Sequence, residues 1–343
     1  MPVPELKVTR RSGAIADLLR GATNHEAMAD NAGKSGAHLE RVTIDGQRYV
    51  LKYLDRTQDW TMRAGGVIGG ATLELWTRGL LARLPDCIDQ PIVAVATGTR
   101  PDDPRQVTVT AVLMQDVADA VVAADDAVIS MSMHRQFLAH MAAMHATFWE
   151  AGSEIDIVPP MTRYMELSPW TAVTEAELGS EHMVPKLVGQ GWPLLKEVAP
   201  ESARIAFPLS MNPWPLVQAL ASTPQTLVHG NFKLDNLGVT SDGRTVLLDW
   251  EGSGRGAGTS DLAWYLAINC RRLPESKEAS IQAYREDLEA LGISTEPWWD
   301  RQLALSLLGG LVQFGWEKAF GGLDDELAWW QAKAIAAEAL LPA

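Results

Sequence analysis

Two periodicities of apolar residues divide the chain. In the first third, apolar residues come in short β-branched runs, and residues 39–42, 47–54, 92–96 and 107–114 read as strands. The first two runs flank Ile44, Asp45 and Gly46, a hairpin signal, because an Asp-Gly pair accepts the positive φ of a tight turn. The last two flank a polar loop, 99–104, with Pro101 and Pro104. Between the pairs, Leu73, Leu75, Trp76, Leu80, Leu81 and Leu84 recur at helical spacing, which predicts a helix over 72–84 ended by Pro85. From residue 125 onward helical patterns dominate, beginning with a long amphipathic stretch at 131–149. Residues 150–225 are rich in Pro and Trp and predict an insertion of irregular shape with short helical pieces such as 193–198. A β-rich island follows at 226–228, 236–240 and 245–248, and helices return over 261–341.

A chain of 343 residues suits two lobes, each with its own core. The N-terminal stretch has no long apolar run behind its charges, so no signal peptide is expected. The longest apolar run, 303–314, falls short of the roughly 20 residues that span a bilayer. Two distant cysteines, Cys87 and Cys270, exclude a disulfide scaffold and a Cys-rich zinc module. They fit a reducing compartment, and the expected location is cytoplasmic. The net charge of -14 is unevenly spread: residues 1–115 carry 14 basic and 13 acidic side chains, residues 116–343 carry 15 and 30. The second part therefore holds a net -15, which disfavours nucleic acid and anionic membrane and favours a cationic small molecule. Solubility alone is the other reading of that charge. On it rest Glu251, Asp324, Asp325 and Glu326 as candidate contacts to a cationic substrate.

The island carries the chemistry. It runs from Leu227 through His229, Gly230, Asn231, Lys233 and Asn236, turns at 241–244, and leaves a short strand at Asp249, Trp250 and Glu251. Asn236 and Asp249 can converge as oxygen ligands for Mg²⁺, a hard cation that also keeps water and phosphate oxygens. Residue 231 is placed to face an acceptor hydroxyl. Upstream, Gly33, Lys34 and Ser35 suggest a P-loop, but Met28 stands where that motif requires its first glycine, and a strand follows instead of a helix. Residues 30–37 read better as a flexible glycine-rich loop. His134, His140 and His145 share one helix without acidic companions, which favours packing or surface roles over a metal site. The tryptophans at 298, 299, 316, 329 and 330 read as core, with a share in a substrate cleft as the alternative.

These residues resemble the aminoglycoside phosphotransferase family and its relatives with the protein-kinase-like fold. The family pattern is His-Gly-Asp, four residues, Asn, then a strand ending in an Asp-led triplet; His229, Gly230, Asn236 and Asp249 match it. The resemblance implies an α+β, bilobal fold, with a small β-rich N-lobe over 1–115 and a large helical C-lobe over 116–343 carrying the 150–225 insertion. It also implies that Gly33, Lys34, Ser35 and Gly36 cover nucleotide phosphates with backbone amides. Lys52 then holds α- and β-phosphates, with Glu74 as its helix partner or, as the alternative, a solvated helix residue. Met114, Gln115 and Val117 read the base at an interlobe hinge. Residues 138–149 are similar to a helix common in this superfamily. His229 and Asp261 are structural, Asp261 by holding the catalytic loop, with a plain N-cap role as its alternative.

The implied reaction is phosphoryl transfer from ATP (or GTP) with Mg²⁺ to a hydroxyl of a small molecule. An antibiotic such as an aminoglycoside is the leading acceptor class; an amino alcohol or amino sugar is the alternative. The chain departs from the family at the catalytic position, where Asn231 replaces the aspartate that accepts the proton. An amide keeps the shape and hydrogen bonds but not the basicity. Three readings stay open: an engineered enzyme with its base removed, a natural nucleotide-binding pseudokinase, or a slow enzyme relying on positioning and metal electrostatics.

Overall fold

A computed structural model describes residues 14–28, 35–100 and 103–342. Gly33 and Lys34 lie outside the described residues. The smaller lobe begins with α1 (Ile15–Leu18) and contains β1 (Ala22–Ala27), β2 (His38–Ile44), β3 (Gln47–Leu54), α2 (Trp60–Gly65), α3 (Ala71–Thr77), β4 (Ile88–Asp89), β5 (Ile92–Thr99) and β6 (Thr108–Gln115). Five of the strands form an antiparallel sheet in the order β1-β2-β3-β6-β5. β2 and β3 are joined by the Asp45-Gly46 turn, both residues at positive φ, as the hairpin signal predicts.

The pleat of β3 decides what each face of this sheet does. Tyr49, Leu51 and Tyr53 pack with Ile15, Leu18 and Val42 into a core on the outer face. Arg48, Val50 and Lys52 therefore point to the other face, toward the second lobe. The register places Arg41 beside Val50 and Leu39 beside Lys52, so both also face the cleft.

The larger lobe holds α4 (Met131–Thr147), α5 (Pro160–Met165), α6 (Pro169–Glu177), α7 (Met183–Val198), α8 (Pro200–Met211), α9 (Trp214–Ala221), α10 (Gly258–Ile268), α11 (Lys277–Ala290), α12 (Trp299–Lys318) and α13 (Asp325–Glu338). Between α9 and α10 lie the short strands β7 (Thr226–Val228), β8 (Leu237–Val239), β9 (Thr245–Leu247) and β10 (Gly254–Gly256). β8 and β9 form a hairpin, and β4 joins it in parallel, tying the smaller lobe to the island. α12 is the central helix, buried along most of its length and packed by α7, α8, α10 and α13. The result is the expected α+β, two-lobed architecture. Among the described residues no helix is long and apolar enough to cross a membrane.

Three elements differ from the sequence expectation. The helix expected over 72–84 stops at Thr77, because Gly79 turns left-handed (φ 69°) and only a 3₁₀ turn, Leu81–Arg83, follows. The 150–225 segment is five helices, and α7 runs 16 residues straight through Pro193. One missing amide is outweighed there by burial of Val188, Trp192 and Leu195 in the main core. β1 gave no strand pattern because nearly all of it is exposed along a sheet edge.

Candidate active site

The catalytic-loop segment is built from the inside out. Asp261, in the first turn of α10, is 1% exposed. Its carboxylate accepts from the backbone amides of His229 (2.6 Å) and Gly230 (2.8 Å), and His145 Nε2 lies 3.2 Å away. Burial raises the pKa of such a group, but the bonds from His145 and the His229 amide prevail and hold the carboxyl below its ordinary value. Two turns further along the same helix, Asn269 accepts from the Leu234 amide (2.9 Å) and donates to the carbonyl oxygens of Tyr265 (2.9 Å) and Phe232 (3.4 Å). α10 thus grips the loop at both ends. Gly230 sits at φ 75°, and a Cβ there would overlap the Gly252 carbonyl, so the glycine lets two backbone segments touch. His229 is buried and kept neutral by desolvation, its Nδ1 accepting from the Asn231 amide (3.3 Å) and its ring edge-on to Trp250.

At the mouth of the cleft Asp249 joins the two lobes. Its Oδ1 accepts from Lys52 Nζ at 2.6 Å and its Oδ2 from Asn231 Nδ2 at 2.9 Å. Asp249 adopts a left-handed conformation (φ 64°) at the end of β9, a costly geometry for a non-glycine residue that aims the carboxylate at Lys52. Burial opposes its ionisation, yet Lys52 and Lys233 pull its pKa down to about 2. Lys52 shows the reciprocal effect: burial lowers its affinity for a proton, and Asp249 and Glu251 more than reverse that. Asn236 donates Nδ2 to the Asn231 carbonyl (3.0 Å), which leaves its Oδ1 for another partner.

Asn236 and Asp249 are the residues that could hold a hard divalent cation: both carry side-chain oxygen and both bond to Asn231, Asn236 through the Asn231 carbonyl and Asp249 through the Asn231 side-chain amide. An ion held by two protein oxygens completes its shell with water and phosphate, as magnesium does.

At the other end of the cleft β6 gives way to the connection between lobes. The Gln115 amide donates to the Pro91 carbonyl (2.9 Å), and the Val117 carbonyl accepts from Ala120 (2.9 Å). Met114 pairs with Val50 on the cleft face. Beside this hinge a cavity of about 310 Å³ opens between Glu26, Arg41, Arg48, Asp116 and Asp119. Ser35 and Gly36 stand at the opposite rim: the Ser35 carbonyl accepts from the Trp60 amide (3.2 Å), and Gly36 (φ 90°) packs against Gln58 and His182. His182 also bonds the Gln58 carbonyl (2.9 Å), so the helical insertion touches the smaller lobe here. A second tie is the bidentate pair of Arg63 with Glu175.

Several expected roles are not the ones the structure gives. Glu74 does not reach Lys52; it is half-buried and pairs with Arg78 one turn on, while the Lys52 partner is Asp249. Glu251 faces inward and caps α3, accepting from the Ala71 amide (2.9 Å), the Thr72 amide (3.2 Å) and the Thr72 hydroxyl (2.5 Å). Its carboxylate is consumed by the four-donor problem of a helix start and is not offered to a substrate. Asp324 caps α13 through the Leu327 amide (2.9 Å), and Glu326 pairs with Lys277 (2.5 Å) and Trp330 Nε1 (2.7 Å). With Asp325 in the same first turn, this acidic trio begins a helix packed on α12 and α8. Of the three histidines on α4, His134 is bonded to Tyr265 and Ser280, His140 to Thr245, and only His145 reaches the loop apparatus, through Asp261.

The sequence reading did not single out Asn269 or Glu166. Asn269 had a signal: Asp261, Tyr265 and Asn269 form a polar stripe at i, i+4, i+8 on an otherwise apolar helix. Glu166 had none: it follows a six-residue helix of the insertion, and burial with repulsion by Asp249 and Asp59 pushes its pKa up to about 7.

A model of the phosphotransferase enzyme family matches residues 113–293, more than half of the chain. No curated protein sequence matches it. Among solved structures, a thermostable mutant of aminoglycoside phosphotransferase APH(4)-Ia, in a ternary complex with ADP and hygromycin B, is 12% identical. That alignment covers 95% of this chain and 97% of that one, with a TM-score of 0.51. Choline kinase LicA from Streptococcus pneumoniae is 13% identical over 95% and 96% of the two chains, TM-score 0.49. A microcompartment-associated aminopropanol kinase is 12% identical over 92% and 91%, TM-score 0.48. At such identities the first likeness speaks for the fold, which is the two-lobed kinase-like one.

Proposed function

Because this chain belongs to the phosphotransferase enzyme family, we propose that it transfers the γ-phosphoryl group of ATP (or GTP) to a hydroxyl of a small cationic molecule. The observation that carries the reading is the convergence of Lys52, Asp249, Asn231 and Asn236 from both lobes on one point. In this reading the base of the nucleotide lies against the hinge at Met114, Gln115 and Val117. Lys52 holds the α- and β-phosphates, and the loop ending in Ser35 and Gly36 covers them, with Gly33 and Lys34 as its outer part. Asn236 and Asp249 hold magnesium, which when bound neutralises phosphate charge. Asp261 and Asn269 keep the loop in register so that residue 231 faces the acceptor. The net -15 of residues 116–343 supports a cationic acceptor, from an aminoglycoside to an amino alcohol or amino sugar.

Asn231 positions and does not deprotonate. Its amide nitrogen donates to Asp249, and an amide has no basic site at neutral pH.

Thermal melts with and without millimolar Mg·ATP test the reading. The nucleotide is expected to raise Tm by mass action, and Asp249→Ala to abolish the magnesium-dependent part. Absence of any shift in the unaltered protein would overturn it. Binding of acceptor candidates at rising salt tests the charge argument: a cationic acceptor weakens as salt screens the field, and tightest binding by a neutral one would remove that argument.

A further inference from the structure

Two histidine–tyrosine pairs tie α4 to the helices around the catalytic loop, and they end on different partners. In the first turn of α4, His134 Nδ1 meets the Tyr265 hydroxyl (2.8 Å), and its Nε2 lies 2.9 Å from both Glu275 Oε1 and Ser280 Oγ. About three turns on, His145 Nδ1 meets the Tyr284 hydroxyl (2.6 Å), and its Nε2 lies 3.2 Å from Asp261 Oδ2. His145, Tyr284 and Asp261 are all buried, and the two rings stand edge-on. Gly258 makes room for the junction: a Cβ there would stand 2.8 Å from the Tyr284 hydroxyl and 3.1 Å from His145 Nδ1. The Thr226 hydroxyl donates to the His145 carbonyl (2.7 Å), fixing α4 at this point against β7, the strand that leads into the loop. An ionised Asp261 only accepts, so a neutral His145 ring carries its hydrogen on Nε2 and takes the Tyr284 hydroxyl hydrogen at Nδ1.

We propose, resting on the phosphotransferase reading of the cleft, that His145 and Tyr284 are positioning residues of the transfer, which set the direction of residue 231 through Asp261. Asp261 Oδ1 accepts from the Gly230 amide, and Oδ2 accepts from both the His229 amide and His145 Nε2. Gly230 directly precedes residue 231, so a turn of the Asp261 carboxylate moves the backbone that carries the side chain facing the acceptor in this reading. Tyr284 orients the imidazole, the imidazole orients the carboxylate, and the carboxylate orients the loop. An outer hydrogen bond of this kind fixes both the tautomer and the tilt of a histidine ring. Because the series is buried, a donor or acceptor left unmet is costly, and that cost holds it in one arrangement. The His134 series lacks the link, since it ends on Glu275 and Ser280 and bypasses Asp261.

The test compares Tyr284→Phe, His145→Gln and His145→Leu with His134→Gln, each in the native chain and again together with Asn231→Asp. Transfer from Mg·ATP is followed across aminoglycosides and amino alcohols, beside urea denaturation and the Mg·ATP melting shift. Tyr284→Phe and His145→Leu should lower kcat by about 10-fold or more, since small misplacements far from the chemistry are felt at the reacting atoms. Acceptor KM and the Mg·ATP shift should not move. His145→Gln, which keeps a donor for Asp261, should recover part of the rate. His134→Gln should show a comparable loss of urea stability and keep its kcat. If His145→Leu does not fold, Tyr284→Phe, which removes one hydroxyl, decides the matter. An unchanged kcat in Tyr284→Phe, or an equal fall in His134→Gln, overturns the inference and makes the pair ordinary packing. A change confined to KM or to the Mg·ATP shift overturns it as well. Transfer by none of the proteins, with the Mg·ATP shift present, overturns it and leaves nucleotide binding only; without the shift, the phosphotransferase reading falls too.

Discussion

The catalytic island and the helical insertion hold their carboxylates in opposite ways. On the wall made by the island and α10, Asp249 and Asp261 each receive several hydrogen bonds and are ionised throughout the neutral range. In the insertion, Glu166 is half-buried with no hydrogen-bond donor among the described residues, and its proton is held more tightly than an ordinary carboxyl's. Burial acts in the same direction on all three. What separates them is whether donors are aimed at the charged form. A carboxylate locked by donors positions a loop or a cation; one without them can exchange a proton.

The largest expected effect is at the loop itself. Asn231→Asp should raise phosphoryl transfer by roughly 10²–10⁴-fold, the usual contribution of a positioned base. Rates of product formation in the two proteins measure it, and an unchanged rate would mean that residue 231 does not handle the proton.

Next is the anchoring of the loop. Asp261→Ala leaves the His229 and Gly230 amides without their acceptor in a buried setting. Breaking a buried charged partnership of this kind costs about 3–5 kcal/mol. Urea denaturation measures it, and a loss under about 1 kcal/mol would mean that Asn269 alone holds the loop.

The two carboxylates also predict opposite pH windows. Asp249 has a folded pKa of about 2 against an ordinary 3.8. Its contribution is therefore present above pH 4 and lost as pH falls toward 2. Glu166 has a folded pKa of about 7 against an ordinary 4.5, so the folded state loses stability as pH rises from about 4.5 through 7. Glu166→Gln should then gain on the order of 1–2 kcal/mol at pH 8 and nothing at pH 4. Melts at the two pH values read this, and the same difference at both would show that Glu166 ionises as an exposed side chain does.

The smallest effect concerns Glu251. Glu251→Ala removes the cap of α3 and should cost about 1 kcal/mol, with Lys52 and Asp249 still paired. A large loss of Mg·ATP binding in that variant would instead restore Glu251 to the ligand-contacting side of the cleft.

Local pattern was enough for the island. The strands at 226–228, 236–240 and 245–248 and the Asp45-Gly46 hairpin depend on near neighbours. The β-rich first third and helical remainder were equally legible, since strand and helix periods differ. The partners of Lys52, Glu74, Glu251 and Asp324 were not. Each is an acidic or basic residue at an element's end, and sequence alone does not say whether such a group finds a helix start, a neighbour one turn away or the other lobe. Pro193 hid a 16-residue helix because its local cost is visible and the core burial that outweighs it is not. Glu166 marks the limit: nothing in its neighbours sets it apart. Only the packing of the insertion buries it, without a donor among the described residues, within the field of Asp249 from 83 positions further along the chain.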